Sequence, residues 1–232
     1  MTKDVHLVSS IMQQVEGWNV SQMKQYRKLI SLYVHPVVVA NDAEALQNPR
    51  KYSIKDRNEE EAELRNVFTM FIAPLIKVSV SGNDADDIHL FSMLNDIMNV
   101  ATRELARFSG HLRQYIVDDK GLVIIATFGL RGSTFPNMVG SRALPCATVI
   151  HSALQSELGV LSQIGATIGN AYCGVVGGVL RHEYAVLGPS VNLAARLMAS
   201  PANPGILVDD AVRMMADTSY GFNALPPVKA KG

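Results

Sequence analysis

An asparagine and an arginine four residues apart, Asn192 and Arg196, lie in the stretch GVVGGVLRHEYAVLGPSVNLAARLM, residues 174–198. If residues 190–198 form a helix, these two side chains share one face, one above the other. An amide beside a guanidinium suits phosphate-ester chemistry. The amide can hydrogen-bond a ribose oxygen, and the guanidinium can hold charge that develops on a transferring phosphorus. The spacing fits a plainer alternative equally, the solvated polar face of an amphipathic helix. On either reading Val191, Ala194, Ala195 and Met198 form the packed stripe, and Ser190 is the expected N-cap.

The elements around this helix follow from periodicity and turn residues. Residues 164–178 (IGATIGNAYCGVVGG) read as a glycine-punctuated strand, and 182–188 (HEYAVLG) as its antiparallel partner, with Arg181, His182 and Glu183 at the hairpin tip. Upstream, 67–80 (VFTMFIAPLIKVSV) has the β-branched and aromatic texture of a buried strand. Residues 84–110 open on acidic residues, repeat Leu90, Met93, Ile97 and Leu105 at helical spacing, and end at Gly110. The segments HLRQYIVDD and GLVIIATFG predict a hairpin turning between Asp118 and Gly121. A second helix is predicted over 140–158, provided Pro145 sits in its first turn. Residues 205–216 give a short strand and a last helix. The order β-α-β-β-α-β-β-α-β-α predicts an α+β domain, one mixed sheet with helices packed against it.

That domain is expected over 64–232. Residues 1–63 read as a helical or linker extension: Leu7, Ile11, Val15 and Trp18 make a one-sided stripe, Pro36 interrupts it, and 48–66 are polar and charge-dense. The 232 residues carry 21 basic and 21 acidic side chains. With no basic surplus, a general nucleic-acid partner is not expected. Cys146 and Cys173 form neither a C-x-x-C nor a disulfide framework, and His89, His111 and His151 show no metal-ligand spacing. No apolar run reaches the ~18 residues of a membrane span, and the first residues lack the apolar core of a signal peptide. The expected location is cytoplasmic. GLRGSTF (129–135) looks like a phosphate loop but lacks the Gly-Lys-Ser/Thr ending, so it is expected to be a connection.

The sequence ATIGNAYCGVVGG, then EYAVLG, then VNLAARL resembles the signature of class III nucleotidyl cyclases. It carries Gly165, Gly169, Gly174, Gly177 and Gly188, followed by Asn192-Leu193-Ala194-Ala195-Arg196. RHEY at 181–184 followed by VNLAARLM most resembles the second half of the soluble, bicarbonate-responsive adenylyl cyclase branch. The likeness covers roughly 64–232 and is strongest over 164–210. It implies a ferredoxin-like core and a pairing of two homologous domains around a shared site. One half holds two magnesium (or manganese) ions with two aspartates, while the other supplies the helix Asn and Arg. ATP then becomes cyclic AMP and pyrophosphate.

Carried over by position, the resemblance makes Asn192 the ribose-orienting residue and Arg196 the transition-state arginine. Ala185 and Val186 fall on the strand that reads the adenine edge, where Ala185 offers no side-chain donor. Arg113, next to Gln114, borders the site, and Lys229 and Lys231 fall where some cyclases place lysines on the triphosphate; a solvated tail is the alternative for the last two. The metal positions differ. Ala73 stands where the first aspartate belongs and Leu122 where the second does, and no carboxylate occurs from Val67 to Val80. Asp118 and Asp119 precede the turn glycine and are the alternative ligands. The chain is therefore expected to hold no metal and to be inactive alone, with the ions on a partner half in a heterodimer or tandem pair. A non-catalytic regulatory or dimerisation module is the competing expectation. A diguanylate cyclase relative, which shares the sheet plan, is disfavoured because the hairpin turn reads VVGGVLRHEY.

Overall fold

The computed structural model describes residues 63–79, 82–118, 121–178 and 181–226, with Ser21, Gln22 and Gln25 besides. The chain divides into two compact units, Met1–Pro49 and Arg50–Gly232, and the continuous described segments belong to the second. The expected helix of the first 49 residues, Asp119, Lys229 and Lys231 lie outside the described residues.

The elements are β1 (Glu63–Pro74), α1 (Asp84–Phe108), β2 (His111–Asp118), β3 (Gly121–Phe128), α2 (Leu144–Leu158), β4 (Ser162–Gly178), β5 (Arg181–Leu187), α3 (Pro189–Met198), β6 (Ile206–Val208) and α4 (Asp210–Met215). This is the order read from the sequence. The sheet runs β2-β3-β1-β4-β5, all antiparallel, and β6 adds to β4 in parallel. It is a mixed sheet with flanking helices, as expected.

Strand alternation divides the sheet into two faces. Phe68, Met70 and Ile72 of β1 pair with Phe128, Ala126 and Ile124 of β3, and all point into one core with Ile164, Ala166 and Ile168 of β4. Helices α1 and α2 cover this face with Leu94, Ile97 and Leu105 and with Leu144, Ile150 and Leu154. Helix α1 starts at Asn83, whose side chain accepts from the Ala85 N–H, and has three acids in its first turn, where they favour the helix dipole. It ends at Ser109 in the left-handed conformation, with the Gly110 N–H bonded to the Leu105 carbonyl. Pro145 lies near the start of α2, but a π-type turn, Val139–Ala143, runs into it without a break, and the Gly140 carbonyl there accepts from the Tyr220 hydroxyl at 2.9 Å.

Two local expectations are corrected. The first strand spans 63–74 rather than 67–80: Glu63 to Asn66 pair with Cys173 to Asn170 despite their polarity, and pairing ends at Pro74. Ser190 is not the N-cap of α3. Gly188 occupies that place, Pro189 starts the helix, and the Ser190 hydroxyl is buried in the first turn without a partner.

A candidate half-site on the open face

Among the described residues only α3 packs on the opposite face of the sheet, and glycines in β4 make its seat. A Cβ at Gly165 would lie 2.1 Å from the Met198 nitrogen and 2.2 Å from the Ala194 carbonyl oxygen, so the helix backbone rests directly on the strand. Ala194 and Leu197 are the buried residues of α3, whereas Val191, Ala195 and Met198 are half-buried; Leu197 was absent from the expected stripe. Asn192 and Arg196 are exposed together on the far side of the helix. Among the described residues neither side chain has a hydrogen-bond or ion-pair partner.

Beside α3 the open face forms a cleft of about 510 Å³. Its floor is Thr69, Phe71, Ile125 and Thr127 from β1 and β3. One wall is Arg113 and Gln114 of β2; the other includes Glu183, Ala185 and Val186 of β5, with Val191 of α3 at the margin. Thus the structure gathers Arg113, Ala185 and Val186 into one cleft and sets Asn192 and Arg196 on the adjoining helix surface. Consecutive strand residues normally face opposite ways. Here Leu112 pairs with Ala126 and Gln114 with Ile125, which makes Arg113 the extra residue of a β-bulge, and both Arg113 and Gln114 line the cleft. Burial lowers the Arg113 guanidinium from its ordinary value, and the Glu183 carboxylate opposes that shift.

The floor carries an anomaly. Thr127, Thr69 and Thr167 stand in register across β3, β1 and β4. Thr167 donates to the Ser190 carbonyl at 2.8 Å. The hydroxyls of Thr69 and Thr127 are buried, with residue exposures of 0% and 1%, and have no hydrogen-bond partner. An unmade bond at a buried hydroxyl costs about 1–3 kcal/mol. Thr69, Phe71, Ile125 and Thr127 were not singled out from the sequence. Within an apolar strand a threonine is unremarkable, and only the register reveals a row with two open hydroxyls.

The two positions that the resemblance gives to metal aspartates do not fit a metal. Leu122 is 1% exposed inside the core under α1 and α2, and Ala73 is half-buried near the end of β1. Asp118, the described member of the alternative pair, is exposed at the end of β2. Among the described residues no group of three or more His, Cys, Asp or Glu could hold an ion. Both cysteines are free and buried, and burial pushes the Cys146 thiol up to about 12. His111 and His151 each bond a serine hydroxyl, of Ser133 at 2.8 Å and Ser162 at 2.9 Å. No helix among the described residues is long and apolar enough to cross a membrane.

No protein-family model matches the chain. It is 32% identical over 174 residues to adenylate cyclase type 10 of Homo sapiens and 30% identical over 179 residues to that of Oryctolagus cuniculus. Each alignment covers 74% of this chain and 10% of the relative, so the chain spans about a tenth of the proteins it matches. Among solved structures, a bacterial light-regulated adenylyl cyclase superposes with a TM-score of 0.65 at 18% identity, covering 93% of this chain and 58% of that one. The catalytic core of a rhodopsin-guanylyl cyclase with converted specificity, in complex with ATPαS, gives 0.63 at 19% identity, covering 75% and 93%. The chain is a homologue of adenylate cyclase type 10 and has the fold of the class III adenylyl and guanylyl cyclase catalytic domains.

Proposed function

We propose that this chain is the second, complementary half of a class III adenylyl cyclase, working in the cytoplasm in cyclic-nucleotide signalling. The observation that carries the reading is a pairing of presence and absence. Asn192 and Arg196 stand exposed and unpartnered beside a cleft, while the position of a metal aspartate is occupied by Leu122 in the core. Such a chain offers cationic and amide groups outward and leaves the divalent ions, Mg2+ or Mn2+, to an aspartate-bearing partner half. That half lies in the same polypeptide or in a separate one.

In the composite site, ATP lies between the halves. Asn192 hydrogen-bonds a ribose oxygen and fixes the sugar so that its 3′-hydroxyl faces the α-phosphorus. As the 3′-oxygen bonds to that phosphorus, the bond to the bridging oxygen of the departing pyrophosphate breaks and the hydroxyl proton leaves. Arg196 faces the charge that builds on phosphorus and leaving group, and its fixed, always-charged fork stabilises the transition state more than the ground state. Arg113 and the β5 strand flank the base; a triphosphate role for Lys229 and Lys231 rests on the sequence resemblance alone.

The test is reconstitution. The full chain alone is expected to make no cyclic AMP from ATP with magnesium or manganese. Mixed with an aspartate-bearing first-half domain it is expected to do so, and Arg196→Ala should lower kcat by about 10²–10³-fold, the usual loss on removing one transition-state donor. Activity from the chain alone overturns the reading. Activity that ignores Arg196→Ala, or is absent with every aspartate-bearing partner, makes the chain a non-catalytic regulatory module instead.

A further inference from the structure

Thr69 and Thr127 lie side by side on the floor of the cleft, in direct register on neighbouring antiparallel strands. Residues so placed have Cβ atoms about 4.5–5.5 Å apart, so the hydroxyls can serve two neighbouring atoms of one flat ring edge. Around them the cleft is apolar, through Phe71, Ile125, Val186 and Val191, with Gln114 on the rim. A few convergent polar groups in an apolar cleft are the make-up of a site for a small, largely flat molecule. Thr167, the third threonine of the row, spends its hydroxyl on the Ser190 carbonyl. The other two keep theirs unspent although buried, as does Ser190 in the first turn of α3, but only the two threonines lie side by side on the cleft floor.

We propose that the hydroxyls of Thr69 and Thr127 hydrogen-bond the edge of a purine base seated in this cleft, and that they read it as a purine without choosing adenine or guanine. The proposal rests on the composite-site reading above for the identity of the ligand. Its second part follows from the donor inventory. Each hydroxyl both donates and accepts, and the Gln114 amide presents a donor and an acceptor. Adenine offers an amino donor next to a ring acceptor, and guanine a carbonyl acceptor next to a ring N–H. Rotors and an amide match either order, and Ala185 adds no side-chain group to break the tie. Arg113 and Glu183, whose polarity is fixed, act on each other across the cleft. Both hydroxyls are buried, so seating the base requires neighbouring side chains to change rotamer, an ordinary adjustment on binding.

The experiment is a titration of the full chain with adenosine and with guanosine, probes that need neither Arg196 nor a divalent ion. It compares wild type with Thr69→Val/Thr127→Val. The wild type should bind both nucleosides within several-fold of each other, and the double variant should bind each about tenfold or more weakly. Its thermal midpoint should rise, since valine removes an unpaired hydroxyl while keeping the shape. That split separates a ligand contact from a structural role, which would weaken binding only by lowering stability. Unchanged binding in the double variant overturns the proposal, as does a wild type that binds neither nucleoside or prefers one by a hundredfold. If Arg196→Ala abolishes reconstituted cyclase activity while the threonine variant keeps wild-type KM for ATP and nucleoside affinity, the composite site stands and this proposal falls. If nucleoside binding depends on the threonines but no partner yields activity, the outcome is reversed.

Discussion

Phe68, Met70, Ala126 and Phe128 are buried among apolar neighbours under α1 and α2; one residue along the same strands, Thr69 and Thr127 are buried on the other face and lack partners. The closed face consists of interlocked aliphatic and aromatic side chains, among them the Phe68–Phe128 edge-to-face pair with ring centroids 5.9 Å apart. The open face is covered in part by one short helix on a glycine seat, and beside it lie the cleft, the bulge at Arg113 and the exposed Asn192 and Arg196. Stability is concentrated on one face, and the groups capable of chemistry on the other. On the proposed reading the open face meets a partner half, and a face that meets a partner cannot also be sealed within its own chain.

Leu122 tests the comparison most severely. The resemblance sets it where a metal aspartate would stand, but it belongs to the closed face. Leu122→Asp is expected to cost about 3–5 kcal/mol, the penalty of an uncompensated buried charge, and to confer no metal-dependent activity. Ala73→Asp, half-buried near the strand end, should cost about 1 kcal/mol or less. Urea midpoints of the two variants measure the difference. Equal midpoints would mean that Leu122 is not core and that the two faces are less distinct than described.

Next in size is the seat of α3. Gly165→Ala places a methyl group against backbone atoms of Ala194 and Met198 that no side-chain rotation can clear. The helix must shift, at a cost of about 1–3 kcal/mol. In a domain of this size that lowers the thermal midpoint by roughly 2–10 °C. The same shift moves Asn192 and Arg196 together, so reconstituted activity should fall further than stability does. An unchanged midpoint with unchanged activity would detach the glycine spacing from the function assigned to it.

The order of elements was legible because each carries a local signal: alternation or an unbroken apolar run in the strands, a stripe in α1, glycine or proline at the turns. Where the expectation slipped, a distant partner overrode the local signal. Glu63-Leu64-Arg65-Asn66 reads as polar linker, yet β4 supplies a register for it. Arg65 settles by donating to the Gly129 carbonyl at 2.9 Å and pairing with Glu63 at 2.9 Å. Ser190 looks like an N-cap, but the cap is Gly188 and Pro189 starts the helix two residues earlier than that expectation. The Asn–Arg spacing was readable from residue type, whereas Ala73 and Leu122 were singled out only through the resemblance. The cleft floor was not readable, because an unpaired hydroxyl is a property of three strands in register and no single strand records it. Strict alternation would place only one of Arg113 and Gln114 on a given face, and the bulge sets both on the cleft.

The smallest effect separates the two faces by pH. His111 pairs with Thr127 across β2 and β3 and holds the Ser133 hydroxyl at 2.8 Å. Burial lowers its pKa from the ordinary 6.5. A histidine with a depressed folded-state value binds its proton more readily when unfolded. Between the two values the unfolded chain therefore carries more protons, and stability rises with pH. The contribution is complete above about 6.5 and is lost as pH falls toward the folded value, by at most about 1.4 kcal/mol per pH unit while that window lasts. Thermal midpoints of wild type and His111→Gln from pH 8 to pH 5 should run parallel above 6.5 and converge below it, because the variant has no proton to take up there. Curves that stay parallel throughout would show that the open face leaves His111 as well solvated when folded as when unfolded.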